Sequence, residues 1–114
     1  MEYPLVADTN KTIARDYGVL AGDSKTCPDG KVCVEGEMVA YRGLFLIDKN
    51  GIVQHEVVNN FPLGRSTEEE IRMVDALQHF ETYGEVCPMN WHKGEDAMKP
   101  TSEGVAEYLK ESYK

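Results

Sequence analysis

Apolar and polar positions alternate along the chain in a few distinct rhythms. Tyr3–Ala7 is a short apolar segment closed by Asp8, Thr9 and Asn10, the pattern of a buried strand followed by a helix cap. From Lys11 to Tyr17, Ile13, Ala14 and Tyr17 recur at three- and four-residue spacing. That predicts a short helix with Thr9 or Asn10 as its N-cap and Gly18 as its stop. Residues 21–36 lose the pattern and gain Gly, Asp, Ser and Lys around Cys27-Pro28-Asp29-Gly30, which predicts a loop or a small hairpin. Residues 39–48 then read as an apolar strand. An Asn50-Gly51 turn leads into a second strand over residues 52–59, and the two should pair antiparallel. After the connector Phe61-Pro62-Leu63-Gly64-Arg65, Ser66 and Glu69 form a capping box. It opens a helix whose apolar stripe is Ile71, Val74, Leu77 and Phe80 and whose stop is Gly84. Glu68, Glu69 and Glu70 sit in its first turn, where the helix dipole favours anions. Beyond Gly84 apolar residues thin out, predicting a tail on a surface with a last short helix over residues 102–110.

Composition narrows the function classes. The chain has 114 residues, room for one small domain, and carries a formal charge of -8 with scattered basic residues. That balance disfavours nucleic acid and acidic membrane surfaces. The start lacks the basic and apolar regions of a secretory signal, and the longest apolar run, Leu44–Ile47, is far too short to cross a bilayer. A cytoplasmic location is the expectation. There an odd count of three cysteines reads as reactive, metal-binding or incidental thiols rather than a disulfide framework.

The order strand, helix, strand, strand, helix is the C-terminal half of a thioredoxin-like α/β fold. Five ordered blocks also resemble typical two-cysteine peroxiredoxins of the alkyl hydroperoxide reductase C type. They are Tyr-Pro-Leu-Val-Ala-Asp at 3–8, Asp-Tyr-Gly-Val-Leu at 16–20, Tyr-Arg-Gly-Leu-Phe-Leu-Ile-Asp at 41–48, Val-Asn-Asn-Phe-Pro-Leu-Gly-Arg-Ser at 58–66, and Gly-Glu-Val-Cys-Pro-Met-Asn-Trp at 84–91. The likeness covers nearly all of the chain outside the stretch around Cys27 and Cys33.

The resemblance implies a thiol peroxidase that reduces hydrogen peroxide and alkyl hydroperoxides. A peroxidatic thiolate becomes a sulfenic acid, and a resolving cysteine turns that into a disulfide. Cys87 matches the resolving position, and Arg42 and Arg65 match arginines of the peroxidatic site. No cysteine here lies in a Pro-x-x-x-Thr/Ser-x-x-Cys setting, so the chain is expected to be a partial or split product, inactive alone. The implied layout is a partial thioredoxin-like domain over residues 1–83 with an insertion at 21–36, and a tail over 84–114. No cofactor or metal is implied. The implied partners are a thioredoxin-like or flavoprotein disulfide reductase and a second copy paired through strand 52–59. Ring-shaped higher oligomers are known among relatives, but the 21–36 insertion falls in a connection that helps form the ring contact and weighs against them. Tyr108-Leu109 stands where overoxidation-sensitive relatives often have Tyr-Phe.

Two rival readings accompany this one: a non-catalytic partner or assembly module, and an independent Cys27–Cys33 dithiol centre. A hairpin could bring Cys27 and Cys33 within disulfide range, although two reduced loop thiols are the commoner outcome for such a pair. A zinc site from Cys27, Cys33, Cys87 and His92 has poor ligand spacing. His55, His79 and His92 show no mutual spacing that marks a site, and Trp91 reads as a packing anchor for the tail.

Overall fold

The computed structural model describes residues 2–112; Met1 and residues 113–114 of the expected domain and tail lie outside the described residues. In chain order the elements are α1 (Thr12–Asp16), β1 (Leu20–Thr26), β2 (Val32–Ala40), β3 (Arg42–Ile47), β4 (Val53–Asn59), α2 (Thr67–Tyr83) and α3 (Ser102–Ser112). They form two compact units. One takes in the chain through Phe45 together with Glu56–Arg65, and the other takes in Leu46–His55 and the chain from Ser66 onward.

In the first unit the expected strand at Tyr3–Ala7 does not form. Tyr3, Leu5 and Val6 stand 65%, 73% and 73% exposed, because no strand among the described residues lies alongside to complete a ladder. α1 follows, but neither Thr9 nor Asn10 caps it. The Asp8 carboxylate instead accepts from the amides of Ile13 (3.0 Å) and Ala14 (2.8 Å), while Lys11 takes a left-handed turn at φ 62°. Its apolar side buries Ala14, and Val19 is buried just after it. Tyr17 packs on Phe45 with ring centroids 4.7 Å apart.

Residues 21–36, read as a loop or small hairpin, are the arms of a long antiparallel hairpin of β1 and β2. The expected strand at 39–48 is divided at Tyr41 between β2 and β3. The β1–β2 register runs from Leu20↔Ala40 to Thr26↔Val32 and shifts between Ala21 and Asp23. Glycine is required on both sides of that irregularity. Gly36 has φ 89°, and a Cβ there would meet the Gly22 Cα at 2.6 Å; Gly22 has φ 130°. Among the described residues the two strands pair only with each other, and they are exposed along most of both faces.

β3 and β4 make a second two-stranded sheet, antiparallel because so short a connection cannot return the chain in parallel. Asp48 organises the turn: its carboxylate accepts from the amides of Asn50 and Ile52 and from Gln54 Nε2 at 2.8–2.9 Å. The Ile52 amide, then Gln54, hold that carboxyl below its ordinary value. The hairpin tip belongs to the second unit and its base to the first.

In the second unit α2 begins and ends as its sequence requires. Ser66 Oγ accepts from the Glu69 amide at 3.3 Å, and Gly84, at φ 67°, closes the helix with a bond from its amide to Phe80 O. The expected apolar stripe is largely uncovered, with Ile71 63%, Val74 38% and Phe80 49% exposed. The flank bearing Arg72, Met73, Ala76, Leu77 and His79 is the more buried one, because the tail packs there. α3 runs two residues beyond its expected end at Lys110.

Candidate functional site

Cys87 lies in the tail just past α2, where Pro88 and Asn90 (φ 63°) turn the chain back on itself. The tail is not loose. Val86 and Met98 exchange both backbone hydrogen bonds, at 2.7 and 3.0 Å, pinning the two ends of an irregular loop. Trp91 fills that loop and is 1% exposed, the most buried large side chain among the described residues. Its indole Nε1–H donates to Glu95 O at 3.0 Å and its ring lies 5.0 Å from that of His79. His79 Nε2 in turn sits 3.1 Å from Glu85 Oε1. The packing role expected for Trp91 is what the structure shows, and it turns a polar stretch into a small core.

Arg72 connects helix and tail. Its guanidinium grips Glu69 with two bonds of 2.8 Å and donates through Nη1 to Trp91 O at 3.0 Å. The paired guanidinium holds the Glu69 carboxyl below its ordinary value. Nothing in the sequence flagged Arg72, which had no motif around it. Only the (i, i+3) spacing from Glu69 hinted at a pair.

The Cys87 thiol is half-buried, free, and makes a weak bond to Ala76 O at 3.8 Å. It borders an open, mainly apolar pocket of about 200 Å³, whose wall includes Met73, Leu77, Phe80, Leu46 and His55. Burial pushes its pKa above the ordinary value; the Arg72 guanidinium works against the rise and Glu85 adds to it. At neutral pH Cys87 is therefore a protonated, partly sheltered thiol. His55 Nε2 is buried near Glu70 Oε2, 3.3 Å away but poorly aligned for a hydrogen bond.

Arg42 and Arg65 belong to the first unit and Cys87 to the second. Arg42 Nε donates to Phe61 O at 2.8 Å and Arg65 Nη1 to Gly43 O at 2.9 Å, so each arginine bridges the base of the β3–β4 hairpin and the connector after it. Tyr41 stacks on Phe61 at 5.0 Å beside them. The partner that a cation at the start of an apolar strand requires is thus a backbone carbonyl, and both side chains stay exposed.

Cys27 and Cys33 are joined in a disulfide, with Cα atoms 5.7 Å apart, rather than remaining two reduced thiols. The hairpin geometry brings them together. Neither offers a thiolate to a metal, which removes two of the ligands a zinc site would have drawn on.

The chain matches the AhpC/TSA family over residues 1–56 and the C-terminal domain of 1-Cys peroxiredoxin over residues 76–111. Alkyl hydroperoxide reductase C of Helicobacter pylori (strain J99) is 52% identical over 112 residues, covering 98% of this chain and 50% of that protein. Peroxiredoxin TSA1-B of Candida albicans is 44% identical over 109 residues, covering 96% of this chain and 49% of that protein. The reduced 2-Cys peroxiredoxin of Plasmodium vivax superposes with a TM-score of 0.75 at 48% identity, covering 93% of this chain and 48% of that one. Fold and cysteine setting define a thioredoxin-like α/β module with a thiol-bearing tail. The chain belongs to the peroxiredoxin family, and it spans about half the length of the curated relatives it matches. Among the described residues no helix is long and apolar enough to cross a membrane.

Proposed function

We propose that this chain supplies the resolving-cysteine half of a cytoplasmic thiol peroxidase acting on hydrogen peroxide and alkyl hydroperoxides. The observation that carries the reading is Cys87: a free thiol beside an open pocket, in a Glu-Val-Cys-Pro segment held by one buried tryptophan. The step it performs is condensation with a sulfenic acid on another polypeptide segment. The Cys87 sulfur attacks the sulfenic sulfur, the S–O bond breaks, and the hydroxyl leaves as water with the thiol proton, giving a disulfide. A resolving thiol needs reach more than a low pKa, because its target is already electrophilic. In this tail, reach requires release of the Trp91 loop.

Arg42 and Arg65 would then serve the peroxidatic thiolate and peroxide, with their carbonyl bonds at the hairpin base holding them ready. Residues 1–83 act as the body and 84–114 as an arm that moves once the Trp91 loop is released. A thioredoxin-like or flavoprotein disulfide reductase restores the thiols, a second copy pairs along residues 52–59, and no cofactor takes part. The chain alone should consume peroxide at background rate. Adding an N-terminal half that carries a Thr-x-x-Cys segment should restore turnover, and Cys87→Ser should abolish it. Equal turnover by wild type and Cys87→Ser would refute the resolving role. It would instead favour a non-catalytic partner module, a reading supported by the exposed Tyr3, Leu5 and Val6.

A further inference from the structure

The disulfide in the first unit is untouched by that chemistry. It closes the outer end of the β1–β2 hairpin, where Cys27 N–H donates to Lys31 O at 2.8 Å and Gly30 N–H to Cys27 O at 2.9 Å. Two features distinguish this bond from one sealed in a core. Among the described residues the outer strands Asp23–Thr26 and Val32–Glu35 pair only with each other and expose Val32 (74%) and Val34 (58%), and Cys27 and Cys33 are half-buried rather than sealed in a core. The hairpin's inner end is also interrupted at Gly22 and Gly36, both in the left-handed region, and Met38 follows at φ 55°. A lone two-stranded hairpin is marginal in water, and here the cross-link is what fastens its outer half beyond that interruption. Lys25 is the register partner of Cys33, so both project from the same face, and the Lys25 ammonium lies 2.6 Å from Glu35 Oε1.

We propose that Cys27–Cys33 is a second thiol–disulfide exchange site, independent of Cys87, whose substrate class is a dithiol and whose redox state sets the order of the outer hairpin. A thiolate of the dithiol attacks one sulfur, the S–S bond breaks, and a mixed disulfide forms. The second thiol of the reductant then displaces the bound cysteine. The net result is two cysteine thiols and an oxidised reductant, with two electrons and two protons passing from the dithiol to the protein.

The test uses the full chain titrated with dithiothreitol at graded reduced-to-oxidised ratios. Thiols are trapped by alkylation and located by mass spectrometry, and amide exchange is followed across residues 20–40. Expected are reduction of the native protein by one equivalent of dithiol per chain, at least a tenfold rise in exchange over residues 23–35, and unchanged exchange over residues 67–83. Cys87→Ser should leave all of this unaltered, which separates the proposal from the resolving role. The variant Cys27→Ser/Cys33→Ser should show the fast exchange with or without dithiol. A bond that opens only after denaturation would overturn the proposal, as would a reduced chain whose hairpin exchanges like the oxidised one. If the double variant fails to fold, the wild-type titration decides alone.

Discussion

Replacing Trp91 with phenylalanine asks how firmly the tail holds Cys87. The indole is 1% exposed and donates one hydrogen bond, to Glu95 O. Losing that bond costs about 1 kcal/mol net, and the smaller ring forfeits on the order of 1 kcal/mol more in burial. A loss of about 2 kcal/mol raises the open population of the loop by roughly thirtyfold. Because Cys27 and Cys33 are bonded to each other, iodoacetamide labels only Cys87 under non-reducing conditions. The alkylation rate of Cys87 at fixed pH should therefore rise by about the same factor, in step with amide exchange over residues 85–98. If exchange accelerates and alkylation stays within twofold of wild type, the sulfur reacts without the loop opening, and the gating argument is wrong.

Four further outcomes follow from the structure. Arg72→Gln removes the cation that opposes the burial-driven rise in the Cys87 pKa, so the midpoint of its alkylation–pH profile should move further upward. A linked stability effect has a defined sign: the folded thiol titrates above the ordinary 9.0, so stability tied to Cys87 is full below that value and falls as pH rises through the folded pKa. The difference in melting temperature between wild type and Cys87→Ser should hold constant around pH 7 and shift against wild type as pH rises above 9.0. Gly36→Ala drives a Cβ against the Gly22 backbone from a left-handed backbone, so exchange protection of β1 and β2 should drop while α2 is unaffected. Ser66→Ala removes the N-cap of α2 and should cost about 1 kcal/mol in chemical denaturation.

The sequence was most legible where structure is local. α2 carries its own start in Ser66 and Glu69 and its own stop in Gly84, so its bounds could be read directly, and β4 follows its turn in the same way. Tyr3–Ala7 has equally strong strand character but no ladder, since a strand depends on a neighbour that its own residues do not encode. The α1 cap was misread because Asp8 reaches over the turn from outside the expected position. The 21–36 stretch hid its strands behind glycines that mark bulges, and the bond between Cys27 and Cys33 depends on a register that spacing alone leaves open. At the candidate site Cys87, Arg42 and Arg65 came from motif likeness. Arg72 had no such signal, because its importance lies in bridging a carboxylate one turn away and a carbonyl in the tail.

The uncommitted backbone at residues 2–7 bears on how this chain keeps company. Residues 2–7 form no ladder among the described residues, and Tyr3, Leu5 and Val6 stand exposed there, so a polypeptide offering a matching edge gains main-chain bonds from the groups beyond Pro4, which has no amide hydrogen to give. Supplied with its complement, that segment becomes an interior strand. Left in concentrated solution without one, it is the place where identical molecules will begin to stick.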